Sequence, residues 1–195
     1  MSFTMKCCAF IFLTERCNFR CRHCYVSAEP GRGQHMPVTL FRRSLDLLRD
    51  VGISDIRLTG GEPTIHPNFS ELVELAIRQR FRVGLISNGS GMRQHWWTDA
   101  FMSQFSRCWI SLYGITPQQH SRISVRLSGQ REFRQILEQV GIYSKLHDGI
   151  GISASLEPGS SAHVRSFLQL ALSFGVKRLR ESLIYPGSPR WRRCD

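Results

Sequence analysis

Short apolar runs recur along this chain, each followed by a stretch whose apolar residues return every three or four positions. That alternation narrows the fold more than anything else in the sequence. A short apolar run bounded by turn residues reads as a strand, and a three- to four-residue return reads as one face of a helix. The pattern predicts strands over Cys7–Leu13, Asp55–Thr59, Arg82–Ser87, Arg107–Leu112, Gly149–Leu156 and Lys177–Tyr185. It predicts helices over Val38–Val51, Asn68–Gln79, Arg93–Gln104 and Ala162–Phe174, with a further helix carrying Phe133, Ile136, Leu137 and Val140 after a loop at Ile115–Gln130. Phe41, Leu45, Leu48 and Val51 share one face of the first helix, and Gly52 ends it. Strands alternating with helices argue for a parallel sheet with crossover helices, an α/β architecture. Six such strands make an open or partial barrel, whose ligand sites gather at the carboxyl ends of the strands.

The loop after the first strand holds Cys17, Cys21 and Cys24 in a C-x3-C-x2-C spacing. So short a loop can turn all its thiolates onto one small object, most often a metal centre. A structural zinc wants four closed ligands, and a [4Fe–4S] cube wants one ligand per iron. Three thiolates on a cube leave one iron open. The competing reading is a zinc knot completed by a histidine: His23 sits too close in sequence to two of the cysteines, whereas His35 or His66 could reach.

A second motif, Gly60-Gly61-Glu62-Pro63, follows directly after the second strand. Two glycines leave the backbone bare for close approach by a ligand, and Glu62 offers a carboxylate to an ammonium group. Ser87 and Asn88 end the third strand and Ser111 lies near the end of the fourth, so these polar residues converge on the same end of the expected sheet.

Cysteines in this spacing after a first strand, with Gly-Gly-Glu-Pro after a second, resemble the radical S-adenosylmethionine (radical SAM) enzymes. The phrases Cys-Asn-Phe-Arg-Cys-Arg-His-Cys-Tyr and Thr-Gly-Gly-Glu-Pro-Thr-Ile-His-Pro are most similar to the branch of peptide-modifying maturases and molybdopterin-precursor cyclases. The resemblance implies a partial (βα)6 barrel. It also implies a [4Fe–4S] cluster on Cys17, Cys21 and Cys24, with S-adenosylmethionine on the open iron. It assigns Gly60, Gly61 and Glu62 to the methionyl ammonium, His23 to the neighbourhood of the adenine, and Ser87, Asn88 and Ser111 to the ribose and carboxylate. Pro63 would stiffen its turn, and Arg122 is a further candidate for the carboxylate. The stretch Gly149–Ile152 loosely matches an adenine-packing strand, with an ordinary buried strand as the equal alternative. The implied chemistry is reductive cleavage, in which a 5′-deoxyadenosyl radical takes a hydrogen atom from a peptide or small-metabolite substrate. This first step needs an electron donor for the cluster but no side-chain acid or base. Tyr113, Glu157 and Tyr185 are candidate substrate-side groups.

The chain departs from that family after strand six, where no sixth helix or cysteine-bearing extension follows. The expected organisation is a core over residues 1–186 and a basic tail over 187–195. An uncovered strand exposes apolar surface. Either the chain is a fragment, or a partner protein covers the open end of the barrel.

A net charge of +11 comes almost wholly from arginine, since three of the 26 basic residues are lysines. That balance admits nucleic acid or an acidic substrate, but arginines spread along helical faces disfavour the first. The dense patch Arg190-Trp191-Arg192-Arg193 reads as a solvated terminus. Seven cysteines without framework spacing suit a reducing cytoplasm, with Cys7, Cys8 and Cys108 expected as small core residues. No apolar run approaches the roughly 20 residues of a membrane helix. Two other readings stay open: a non-catalytic remnant that binds a cluster or partner, and a zinc-stabilised basic protein that binds nucleic acid.

Overall fold

The computed structural model describes residues 7–93, 97–124, 129–156 and 161–183. Six strands form one sheet in chain order: β1 (Cys8–Thr14), β2 (Asp55–Gly60), β3 (Arg82–Ser87), β4 (Arg107–Leu112), β5 (Ile150–Leu156) and β6 (Leu179–Leu183). Every neighbouring pair is parallel. The connections carry α1 (Val38–Asp50), α2 (Phe69–Arg78), α3 (Asp99–Met102), α4 (Pro117–Ser124), α5 (Gly129–Leu146) and α6 (Ser161–Ser173). This is the expected parallel α/β sheet of a partial barrel.

Strand alternation divides the sheet into two faces. Ile11, Leu13, Ile56, Leu58, Val83, Leu85, Ile110 and Ile152 are buried in the main core. Phe41 and Leu45 of α1, Leu72 and Val73 of α2, Ile136 and Val140 of α5 and Phe167 of α6 join them. Each such side chain, fully buried, contributes about 1.5–3 kcal/mol. The intervening strand positions, among them Arg57, Ile86, Trp109, Ser111 and Ser153, fall on the opposite face, inside the barrel.

Five expectations are corrected. Cys7 and Cys8 are exposed, because β1 is an edge strand, while Cys108 of central β4 is fully buried. Val51 is also exposed, since α1 stops at Asp50 and its C-cap turns away from the core. In place of one helix over Arg93–Gln104 there are a 3₁₀ turn (Ser90–Arg93) and the single turn α3, capped by Thr98 Oγ1 accepting from Phe101 N at 3.2 Å. The expected loop Ile115–Gln130 contains α4 and the start of α5. Strand six begins two residues later than the pattern suggested, at Leu179. Trp96, Glu157, Tyr185, Cys194 and the whole tail over 187–195 lie outside the described residues.

Candidate active site

The cysteine loop is closed on itself and tied to the sheet. Glu15 N donates to Gln34 O at 2.9 Å, Arg16 Nε to Gly33 O at 2.8 Å, and Met36 N to Leu13 O at 2.8 Å. The double glycine pins the loop from the other side: Gly61 N donates to Thr14 O at 2.7 Å and Glu62 N to Arg16 O at 2.9 Å. A Cβ on Gly60, whose φ is +138°, would lie 2.3 Å from Thr14 O, and one on Gly61 would lie 2.0 Å from Arg16 O. Glycine is required here because two backbones touch.

Within the loop, Cys17 Sγ accepts from Phe19 N at 3.3 Å and lies 3.8 Å from Asn88 Nδ2. Cys24 N donates to Cys21 O at 3.2 Å, closing a turn between the two cysteines, and Arg22 N donates to Ile123 O of α4 at 3.0 Å. Phe19, Ala28, Tyr113 and Ile123 form a separate apolar cluster beneath Cys17 and Cys21. Burial, reinforced by the carboxylate of Glu62, pushes the Cys17 thiol up to about 12.

The three thiols line one cavity of about 410 Å³ on the inner face of the sheet. Of the residues expected at the site, His23, Gly60, Gly61, Ser87, Asn88 and Ser111 line it as well. The His23 ring lies 4.7 Å from the Tyr113 ring, and burial lowers its pKa to about 4, so the imidazole is neutral. Tyr113 closes the wall beside Cys21, and burial raises its phenol well above the usual range.

Glu62 sits elsewhere. It is fully buried behind the wall, where Oε1 accepts from Thr64 N at 3.1 Å, Thr64 Oγ1 at 2.6 Å and Ser87 Oγ at 2.8 Å. Oε2 accepts from Asn88 N at 2.7 Å. Burial raises this carboxyl's pKa while the four hydrogen bonds pull it back. Glu62 therefore joins the ends of β2 and β3 instead of opening onto the cavity. Asn88 continues the network, donating from Nδ2 to Asn18 Oδ1 at 2.9 Å.

Arg122 is exposed on α4 and does not line the cavity. Ile150 and Ile152 are buried in the main core, as an ordinary strand would have them. Both nitrogens of His66 are engaged, Nε2 with Met36 O at 2.9 Å and Nδ1 with Asn68 N at 3.0 Å, and its ring packs 5.0 Å from that of His35. Zinc bonds sulfur at about 2.3 Å and so needs its ligands gathered around one point. Among the described residues, no three His, Cys, Asp or Glu side chains meet that condition.

Sequence reasoning missed Asn18, Ser153 and Arg180. The last two line the cavity from β5 and β6.

A parallel partial barrel with three cysteines after its first strand and a double glycine after its second defines a class of strand-end cofactor proteins. The chain belongs to the radical SAM superfamily, whose profile matches residues 11–150 of the 195. The antilisterial bacteriocin subtilosin biosynthesis protein AlbA of Bacillus subtilis is 34% identical over 82 residues, 42% of this chain and 18% of AlbA. The S-adenosylmethionine-dependent nucleotide dehydratase of Selenomonas ruminantium is 27% identical over 152 residues, 76% of this chain and 51% of that protein. The chain thus spans about half or less of these two relatives. Streptococcus suis SuiB bound to precursor peptide SuiA has the same fold, with a TM-score of 0.73 at 12% identity, covering 92% of this chain and 39% of SuiB. Among the described residues no helix is long and apolar enough to cross a membrane.

Proposed function

We propose that this chain is the core of a radical SAM enzyme. Cys17, Cys21 and Cys24 hold a [4Fe–4S] cluster, and the wall made by Gly60, Gly61, Ser87, Asn88 and Ser111, with His23, receives S-adenosylmethionine. The observation that carries this reading is that three thiols from one anchored loop face the same cavity as the bare glycine backbone. Three thiolates match three of the four irons of a [4Fe–4S] cluster and leave one iron open, whereas a closed structural zinc site needs a fourth ligand. When bound, the cluster supplies the electron that cleaves S-adenosylmethionine and so yields the 5′-deoxyadenosyl radical.

The chain's own residues orient and shield. Phe19 N and Asn88 Nδ2 direct hydrogen bonds at Cys17 Sγ, which offset part of the rise that burial and the Glu62 carboxylate impose on its thiol. Glu62 fixes Ser87 and Asn88 from behind, and Tyr113 with neutral His23 walls the cavity against water. The substrate is a peptide or a small metabolite: AlbA's name and the peptide bound to SuiB favour the first, and the dehydratase's name the second. A separate electron donor and a reducing, cytoplasmic setting belong to the proposal.

The test is iron, sulfide and zinc content of protein purified without oxygen, for the wild type and a Cys17→Ala, Cys21→Ala, Cys24→Ala triple variant. About four irons and four sulfides per chain, lost in the variant, are expected. The reduced wild type then forms 5′-deoxyadenosine from S-adenosylmethionine. Stoichiometric zinc without sulfide would sink the reading, and a loaded cluster without 5′-deoxyadenosine would sink its catalytic half.

A further inference from the structure

Opposite the cysteine loop, the cavity wall is made by β4, β5 and β6. Arg180 of β6 pairs across the ladder with Ser153 of β5, and Ser153 with Ser111 of β4. The Arg180 Nε donates to Ser153 Oγ at 2.9 Å, and its guanidinium carbon stands 4.9 Å from the centre of the Trp109 ring. A guanidinium held at Nε and backed by an aromatic face has its outer N–H fork left to point at a ligand.

Arg57, on the same face of the sheet, is paired with Asp55, which also meets Arg82 at 3.9 Å. Among the described residues Arg180 has no ion pair within 4.0 Å, although it is half-buried and lines the cavity. Burial, followed by the field of Arg57, lowers its pKa, the direction expected of a cation short of counter-charge.

Two glycines inside strands clear the space. A Cβ on Gly151 would lie 2.7 Å from both Arg178 Cβ and Arg178 O and 2.8 Å from Trp109 Cζ3, and one on Gly84 would lie 2.5 Å from Arg57 Cδ. Glycine within a strand weakens it, so its presence marks a required close approach. Here both approaches bring bulky or basic side chains to the barrel interior.

We propose that Arg180, oriented by Ser153 and Trp109, is an anion subsite that binds a carboxylate or phosphate of the substrate across the cavity from the cysteine loop. The substrate assignment rests on the proposed function, because it takes the wall from Gly60 to Ser111, with His23, as the place of S-adenosylmethionine; the anion subsite itself does not. A carboxylate would come from an acidic peptide or metabolite and a phosphate from a nucleotide, and the guanidinium fork suits both.

The experiment is calorimetric titration of the cluster-loaded full chain with glutarate and, separately, with inorganic pyrophosphate, each with and without S-adenosylmethionine. Saturable binding of one probe names the source of the anion. Arg180→Gln weakens it at least ~10-fold and Arg180→Lys by only ~3-fold, since lysine keeps the charge and loses the fork. Ser153→Ala, a milder change, weakens it ~3-fold by freeing the guanidinium. Binding shifts tryptophan fluorescence in the wild type and not in Trp109→Phe, while S-adenosylmethionine affinity stays within ~3-fold in every variant.

No saturable binding of either probe at millimolar concentration, or equal affinity in the wild type and Arg180→Gln, would overturn the subsite. A parallel loss of S-adenosylmethionine affinity would give Arg180 to the cosubstrate and overturn it as well. If Arg180-dependent binding persists in protein that takes up no iron or sulfide, the enzyme reading fails and the anion subsite stands.

Discussion

Glu62 touches no solvent, yet its carboxylate collects hydrogen bonds from Thr64, Ser87 and Asn88. Two of the four donors are backbone N–H groups, which cannot reverse their role. A glutamine at this position keeps an oxygen for Thr64 and Ser87 but turns an NH₂ group toward Asn88 N. Glu62→Gln is therefore expected to lower the unfolding free energy by about 2 kcal/mol, the cost of a buried unsatisfied donor, and Glu62→Ala by about 4 kcal/mol. Urea denaturation of both variants checks this, and an unchanged Glu62→Gln beside a destabilised Glu62→Ala would mean that volume, not hydrogen bonding, sets the cost. The sequence marked Glu62 as important but not how, because the donors from β3 become visible only once β2 and β3 pair. Arg180 and Ser153 were illegible for a related reason. A polar residue alternating with apolar ones in a strand reads as solvent-facing, and only the curvature of the sheet turns that face onto a cavity.

The contact between the cysteine loop and the end of β2 is made of backbone, so the element rather than any side chain is the unit that fails. Alanine at Gly61 would press a methyl group against Arg16 O, and the loop must move to relieve it. Gly61→Ala is expected to destabilise the fold by about 2 kcal/mol and to reduce iron uptake at least ~5-fold. Iron uptake unchanged beside an intact melting transition would show the contact to be dispensable. The helix α4 was read as loop because Ile123 is its one large apolar residue. Its start was nonetheless written in Thr116-Pro117-Gln118-Gln119, a capping sequence whose Thr116 Oγ1 accepts from Gln119 N at 3.2 Å. On that helix His120 is buried, with Nδ1 accepting from Tyr113 N at 3.2 Å, and burial lowers its pKa to about 4. Below its ordinary value of about 6.5 the unfolded chain gains a proton that the folded chain refuses, so stability falls as pH drops from there toward 4. Between pH 7 and pH 5 the loss attributable to His120 is about 2 kcal/mol, and His120→Gln should remove it. Urea midpoints at the two pH values measure the difference, and an identical fall in the variant would exonerate His120.

Across the whole molecule, repulsion between chains of net charge +11 opposes an apolar surface at the sheet's open side. Beyond its bridge to His35 at Thr14, β1 has β2 as its single strand neighbour among the described residues. Beside it, Phe10, Phe12, Leu47 and Val51 border a groove of about 470 Å³, with Leu47 67% and Val51 70% exposed. The pattern that placed strands and helices in order could not reveal this groove. Its apolar residues share the periodicity of the core, and only the end of α1 at Asp50 and the edge position of β1 leave them uncovered. Repulsion between like-charged chains is screened over about 8 Å at physiological salt, whereas apolar attraction is not weakened by salt. Self-association of the wild type, followed by light scattering, should therefore rise from low to high sodium chloride. A Leu47→Lys, Val51→Lys double variant should abolish that rise while its unfolding free energy stays within about 0.5 kcal/mol of the wild type, because neither side chain is packed. Association that climbs equally in the variant would move its cause away from the groove. A loss of stability well beyond that margin would show that Val51 packs after all, as the helical period suggested.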